Sequence, residues 1–341
     1  MLNYLVFNIL FLFFLNFFLT NKRLLIHNTF GFQHKQKNKN IVLSGGLYFL
    51  ISFSIISMLN NYIFLNLLIY SSIFLILGIF SDINLDFSAR QRLIFMFIFA
   101  FFIIINAQLF INSVDITILD KFLRYNFFSL IFFSLCFVII INGANFIDGT
   151  NGNASGYFIL CFLSLSYQLD LISAGKFDAL ILQLMLLPII VFFIFNFFNK
   201  NYLGDNGSYF LSALTGLLVI NSYIYYEISS FYFINLLLYP AIEVLVSFIR
   251  KIYSKQSPYL PDKMHLHHLI EKVFSKIKFL KQFKNNMTSI VILIFLSIFF
   301  TQFNSNINDK LIQIKLTSTF CILYFFIYLL LRVFLKKDKL K

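Results

Sequence analysis

The sequence predicts an all-α, polytopic transmembrane helical bundle of about eleven spans, with its N-terminus outside and its C-terminus inside. Three observations lead to that class. Of 341 residues, 60% are hydrophobic and only 12% charged, which leaves too little polar surface to cover a water-soluble fold. Apolar runs long enough to cross a bilayer recur along the chain. The basic residues collect on one side of the runs so defined.

In chain order the runs cover about 2–20, 44–60, 62–80, 93–111, 126–143, 153–169, 178–198, 208–223, 229–248, 288–303 and 313–333. The first lacks the basic leader and small-residue cleavage site of a secretory signal and is read as a helix that stays. The second and third are parted only by Asn60 and Asn61, and 208–223 is short for a span. Cys136, Cys161 and Cys321 lie inside apolar runs with no pairing or metal-binding spacing and read as core residues. Residues 1–341 form one membrane domain: a motif-bearing part at about 30–270, two further spans within 288–333, and a basic tail at 334–341.

With the loop 21–43 placed inside, the inner segments hold five basic residues in that loop, then Arg90, Arg92 and Lys200. Nine more lie between Arg250 and Lys284, and five from Arg332 to Lys341. Only Lys121, Arg124, Lys176, Lys310 and Lys315 fall outside. That asymmetry sets the orientation. The net charge of +13 then forms an inner skirt that attracts anionic lipid headgroups and phosphorylated substrates. Because the charges are dispersed over the loops of a bundle, nucleic acid is not expected as a partner.

Four polar segments break the apolar pattern, and the orientation puts all of them on the inner face. The segment 142–152, NGANFIDGTNG, combines carboxamides, one carboxylate and three glycines; it reads either as a ligand-binding loop or as an ordinary turn. The segment 201–208, NYLGDNGS, follows Asn196 and reads as a short loop. Its Asp205 is a hard oxygen ligand suited to Mg²⁺, and Asn206 and Ser208 suit helix capping equally. The segment 257–268, SPYLPDKMHLHH, offers His265, His267 and His268 either to a metal or, with Lys263, to phosphate. The fourth is Ser81-Asp82 at the end of a span, followed by Arg90 and Arg92, where structural pairing and a lipid phosphate are rival readings. Glu243 lies within a span near its inner end and is set aside as snorkelling toward Arg250 or Lys251.

Together these segments resemble the polyprenyl-phosphate N-acetylhexosamine-1-phosphate transferase family. The family carries an Asp pair, an N-x-x-N-x-x-D-G-x-x-G loop, a G-D-x-G-S loop and a histidine cluster. The matches are NGANFIDGTNG, YLGDNGS and PDKMHLHH, with GGLYF at Gly45-Gly46 after His34 resembling the first-loop motif. The family's Asp-Asp pair is Ser81-Asp82 here, and the second acid of the Asn-rich loop is Asn151.

The resemblance implies transfer of a sugar 1-phosphate from a UDP-sugar to polyprenyl phosphate, with release of UMP, in a bacterial cytoplasmic membrane and with the site facing the cytoplasm. It implies Mg²⁺, with Mn²⁺ as the alternative, held by Asp205. It implies catalytic Asp82, Asp148, His265, His267 and His268, of which the histidines donate to the diphosphate and Asp82 lies near the acceptor phosphate. Asn145, Asn151, Asn196, Tyr202, His34, Arg90 and Arg92 are the implied substrate-binding residues, with Tyr202 stacking on uracil. Implied partners are the UDP-sugar donor, the polyprenyl phosphate acceptor, membrane lipids and, as an option, a second copy in a homodimer. The His-Leu-His-His ending looks like the undecaprenyl-phosphate GlcNAc-1-phosphate transferase branch, which initiates O-antigen, teichoic-acid or capsule synthesis, rather than the phospho-MurNAc-pentapeptide branch of peptidoglycan synthesis. Two further alternatives are a transporter of a lipid-linked or anionic solute and, given Ser81 and Asn151, a non-catalytic scaffold.

Overall fold

The computed structural model describes residues 2–26, 41–62, 64–83, 86–173, 177–226, 228–257, 263–307 and 309–337. Among the described residues thirteen α-helices follow one another: α1 (Leu2–Asn21), α2 (Gly45–Leu59), α3 (Leu65–Ile83), α4 (Ala89–Asn106), α5 (Thr117–Leu123), α6 (Asn126–Ile147), α7 (Asn153–Ser173), α8 (Phe177–Phe197), α9 (Gly204–Tyr225), α10 (Ser230–Tyr253), α11 (Leu266–Lys276), α12 (Lys284–Asn304) and α13 (Lys310–Lys337). All eleven predicted runs fall on helices. The short α5 and α11 are additions, placed in segments read from sequence as loops.

Nine helices among the described residues are long and apolar enough to cross a bilayer, and α2 and α7 are not among them. The 15 residues of α2 reach only about 22 Å at helical rise, against about 30 Å of hydrocarbon. The length of α7 is ample, but it buries Asn153, Ser155, Ser164, Ser166 and Gln168, which lower its apolarity. Its polar groups find partners within the bundle: Ser164 pairs with Tyr232 and Asn304, and Gln168 donates to the Asn304 carbonyl, as a water-free environment demands.

The bundle is built around α9. Of its most apolar window, 83% is buried, against 17% for α13. Small side chains allow this, since Gly207, Ser208, Ser212, Ala213, Thr215 and Gly216 let neighbouring backbones approach. Ser212 and Thr215 return their hydroxyls to carbonyls one turn back, on Ser208 and Leu211, so burying them costs little. At the periphery, Phe13, Phe14 and Phe17 on α1 and Ile322, Phe326 and Leu330 on α13 stay exposed, as expected of surfaces that face lipid.

Two boundary shifts bear on the site. The sixth helix runs on to Ile147, so Asn142 and Asn145 lie on its last turns rather than in a loop. The ninth begins at Gly204, so Asp205 sits in its first turn, where a carboxylate is favoured by the positive end of the helix dipole.

Candidate functional site

The site starts where α3 meets the N-terminus of α9. The first N–H groups of a helix have no partner within it, and Asp82 takes two of them. Its Oδ1 accepts from the Asp205 N–H and its Oδ2 from the Asn206 N–H, each at 3.0 Å, and the Asn206 side-chain amide adds a third bond. The approach is close because Gly78, one turn before Asp82, lies against the Asp205–Asn206 backbone, where a Cβ would collide. Gly204 takes a φ of +73°, a left-handed turn that glycine enters without strain. Buried Asn206 also accepts from the Gly46 N–H at 2.7 Å and donates to the Leu43 carbonyl at 3.1 Å, fastening the first turn of α2 and the chain ahead of it.

With α9 so held, the Asp205 carboxylate faces a ring of donors. Arg92 Nη1 lies 2.8 Å from Oδ2, which Ser81 Oγ and the Tyr209 hydroxyl also approach, while Asn145 Nδ2 donates to Oδ1. Ser81 accepts from Arg92 at 2.9 Å as it donates to Asp205. Where the resembled family has an acid, this chain has a hydroxyl that donates to Asp205 instead of repelling it. Arg90, half a turn away, is exposed and outside this cluster.

The Asn-rich segment closes the site from the other side. Gly152, at φ +82°, directs its N–H to Asn196 Oδ1 at 2.7 Å. Asn196 in turn donates to the Asn201 carbonyl at 3.0 Å, and Asn151 donates to Asn199. The Tyr202 N–H bonds the Val42 carbonyl at 3.0 Å. These links enclose a cavity of about 140 Å³ lined by Asp82, Asn145, Asp148, Asn151, Asn196, Tyr202 and Asp205, together with Leu43, Thr150 and Gly204. Seven residues chosen from sequence thus meet around one space. Burial pushes the Asp148 carboxyl well above the usual carboxylate range, and the nearby charges of Asp205 and Asp82 add to it. Burial, then Asp148, raises the Tyr202 phenol.

The histidines stand apart from that cavity, around the start of α11. His265 Nδ1 lies 3.0 Å from Glu243 Oε2, and the Leu266 N–H donates to Oε1 at 3.2 Å. Glu243 is buried, 1% exposed; it is an anchor for the histidine segment, which corrects the snorkelling read from sequence. The signal was there, since a carboxylate within a span is costly unless paired, but its partner lies 22 residues away. His267 packs on Gly149 of the Asn-rich segment, where a Cβ would collide with Nε2, and its ring centroid lies 4.1 Å from that of His268. His268 Nδ1 is 3.6 Å from Glu271, which also pairs with Lys284 at 2.8 Å. His34, and Pro261-Asp262 of the histidine motif, lie outside the described residues. Sequence reading took Asn206 for a helix cap, whereas it ties Asp82 to Gly46 and Leu43, and it passed over Ser81 as a donor and Tyr209, which as a serine and a tyrosine near helix ends carry no distinctive pattern.

Among the described residues, no group of three or more His, Cys, Asp or Glu is arranged to cage a metal. Three carboxylates nevertheless face one cavity. That oxygen-rich set, with Asp148 ionised only at a cost, fits a hard cation that takes one or two protein carboxylates and completes its shell with water and phosphate.

Apolar helices carrying a polar cavity at their ends define a multi-pass membrane protein. Residues 64–223 match the family model described as Glycosyl transferase family 4. The chain is 28% identical over 149 residues to the undecaprenyl-phosphate alpha-N-acetylglucosaminyl 1-phosphate transferase of Thermotoga maritima, covering 43% of this chain and 45% of that protein. It is 27% identical over 157 residues to the decaprenyl-phosphate N-acetylglucosaminephosphotransferase of Mycolicibacterium smegmatis, covering 40% and 39%. The aligned stretch therefore spans less than half the length of these relatives. Family match and relatives bear out the resemblance to polyprenyl-phosphate N-acetylhexosamine-1-phosphate transferases that the motifs carry.

Proposed function

We propose that this chain transfers a sugar 1-phosphate from a UDP-N-acetylhexosamine to a polyprenyl phosphate and releases UMP. The observation that carries the reading is the cavity shared by Asp82, Asp148 and Asp205, brought from three helix ends and flanked by Arg92 and side-chain amides. An oxygen of the lipid phosphate attacks the β-phosphorus of the nucleotide; the new P–O bond forms as the bond to the α-phosphate oxygen breaks, and UMP departs. Two anions must meet, so the task of the protein is to position them and offset their charge.

In this reading Asp205 and Asp148 hold Mg²⁺, or Mn²⁺ in its place, and the bound cation supplies charge neutralisation at the diphosphate. Arg92 and Ser81 keep the Asp205 carboxylate aimed at the cavity. Asp82, with both oxygens engaged by α9, acts by positioning Asp205. Asn145, Asn151 and Asn196 shape the nucleotide side, and Tyr202 stacks on the base. The three histidines donate to the diphosphate, with His265 oriented by Glu243. The names of the relatives favour N-acetylglucosamine as the sugar and a bacterial polyprenyl phosphate as the acceptor. The charge asymmetry favours a site on the cytoplasmic side of the inner membrane, and the product would initiate a cell-surface polysaccharide.

A panel of UDP-N-acetylhexosamines labelled in the sugar, incubated with polyprenyl phosphate and purified enzyme in detergent, tests the reading. An acid-labile labelled lipid and UMP are expected with Mg²⁺ and not with EDTA. Release of UDP, or no labelled lipid from any donor, overturns it, and undiminished turnover in EDTA removes the cation. A detergent solution holds no gradient, so turnover there also separates an enzyme from a transporter.

A further inference from the structure

A groove of about 750 Å³ runs between α11 and the last turns of α13. Four of its lining residues are basic: Lys272 and Lys276 on α11, Arg332 and Lys336 on α13. Each pair is spaced four residues apart, so each lies on one face of its helix, and the two faces meet across the groove. None of the described lining residues is acidic. The nearest acid along α11, Glu271, is engaged by Lys284 and His268. Aromatic rings steady two of the cations: Lys276 Nζ lies 5.3 Å from the ring centre of Phe334, and the Arg332 guanidinium 5.8 Å from that of Tyr328. Lys272 is held by its bond to the Lys263 carbonyl at 2.8 Å.

We propose that this groove binds the headgroup of an anionic phospholipid. A phosphate seated between these four side chains meets positive charge from both helices. The remainder of the lining selects a lipid over a free anion. Leu329 and Val333 are exposed apolar side chains on α13, whose candidate span, Lys310–Lys336, ends at this groove. The charged rim therefore sits at the level of a headgroup, with apolar helix surface below it for an acyl chain. The inference is independent of the transfer reaction, since none of these residues lines the three-aspartate cavity.

The test uses the full chain, purified in uncharged detergent, with mixed micelles containing either phosphatidylglycerol or phosphatidylcholine. Retained lipid is counted by native mass spectrometry and binding is followed by thermal unfolding. Retention of phosphatidylglycerol over phosphatidylcholine by the unmodified protein is expected. The double variant Lys276→Gln/Arg332→Gln should weaken it about 10- to 30-fold. The charge-matched variant Lys278→Gln/Lys281→Gln, altered outside the groove, should leave it unchanged. Equal retention of the two lipids by the unmodified protein overturns the proposal without reference to any variant, as does an equal loss in both doubles. Displacement of phosphatidylglycerol by inorganic phosphate at comparable concentration overturns the choice of a lipid.

Discussion

The Glu243 carboxylate lies 3.0 Å from His265 Nδ1 and also accepts the Leu266 N–H, so one buried acid on α10 fixes both the first histidine of the cluster and the start of α11. A carboxylate at Nδ1 holds a proton there, and Nε2 donates to a phosphate oxygen in the imidazolium form, in which both ring nitrogens carry hydrogen. Glu243→Gln is expected to lower kcat about 10- to 100-fold, the range typical when a carboxylate that orients a functional histidine is lost. Selective ¹⁵N-histidine spectra should show a changed tautomer balance in the same variant. Unaltered kcat together with unaltered spectra would separate Glu243 from the histidines.

Asp205→Asn keeps the shape of the side chain and removes the charge that Arg92 faces at 2.8 Å. Turnover is expected to fall by at least about 100-fold while the thermal midpoint stays close to that of the parent, because Ser81, Tyr209 and Asn145 still offer polar partners. Initial rates over a Mg²⁺ titration check this; near-normal turnover would remove Asp205 from the metal role.

Asp82 predicts the opposite balance. Asp82→Ala strips acceptors from the Asp205 and Asn206 N–H groups and from the Asn206 side chain, and each unsatisfied donor costs about 1–3 kcal/mol. A thermal midpoint clearly below that of the parent is expected, with Asp82→Asn intermediate because it keeps one carbonyl oxygen. Equal midpoints for all three proteins would show that α9 does not depend on this cap.

Gly149→Ala places a methyl group against the His267 imidazole. Overpacking of this kind costs about 1–3 kcal/mol, and here it would push the histidine segment away from the Asn-rich segment. Activity should therefore fall further than stability, measured as turnover against unfolding midpoint on one preparation.

Glu271 supplies a pH dependence. Burial opposes its ionisation, but hydrogen bonds from His268 and Lys284 and the charge of Lys284 prevail and hold its pKa at about 2, below the ordinary 4.5. A carboxyl whose folded pKa is depressed contributes its full stability above its ordinary pKa and loses it as pH falls toward the folded value. The parent should thus lose more stability than Glu271→Gln when taken from about pH 6 to about pH 3. Parallel losses in the two proteins would count against the pairing.

The helices were legible in the sequence because their signal is local. An apolar run long enough for a bilayer has no competing solution, since every backbone group must bond within its own segment. All eleven runs are helices, and Asp82, Asn145, Asp148, Asn151, Asn196, Tyr202 and Asp205, picked out as polar breaks at run ends, share one cavity. Where Asp205 falls on its helix was less clear, because Gly-Asp-Asn-Gly-Ser serves equally as a loop or as the first turn of a buried helix.

What tertiary structure alone decided is which partner each polar group finds. Asp82 and Asp205 are 123 positions apart, Ser81 and Asp205 are 124 apart, and nothing within either segment says that one acid caps the helix carrying the other. Glu243, set aside as a carboxylate reaching for nearby basic residues, anchors His265 instead, and the four cations of the α11–α13 groove come from segments 60 residues apart, Lys272 and Lys276 facing Arg332 and Lys336. Hydropathy is a property of a segment and survives without its neighbours. A hydrogen bond or ion pair in a water-poor interior is a property of two segments, and only their packing sets it.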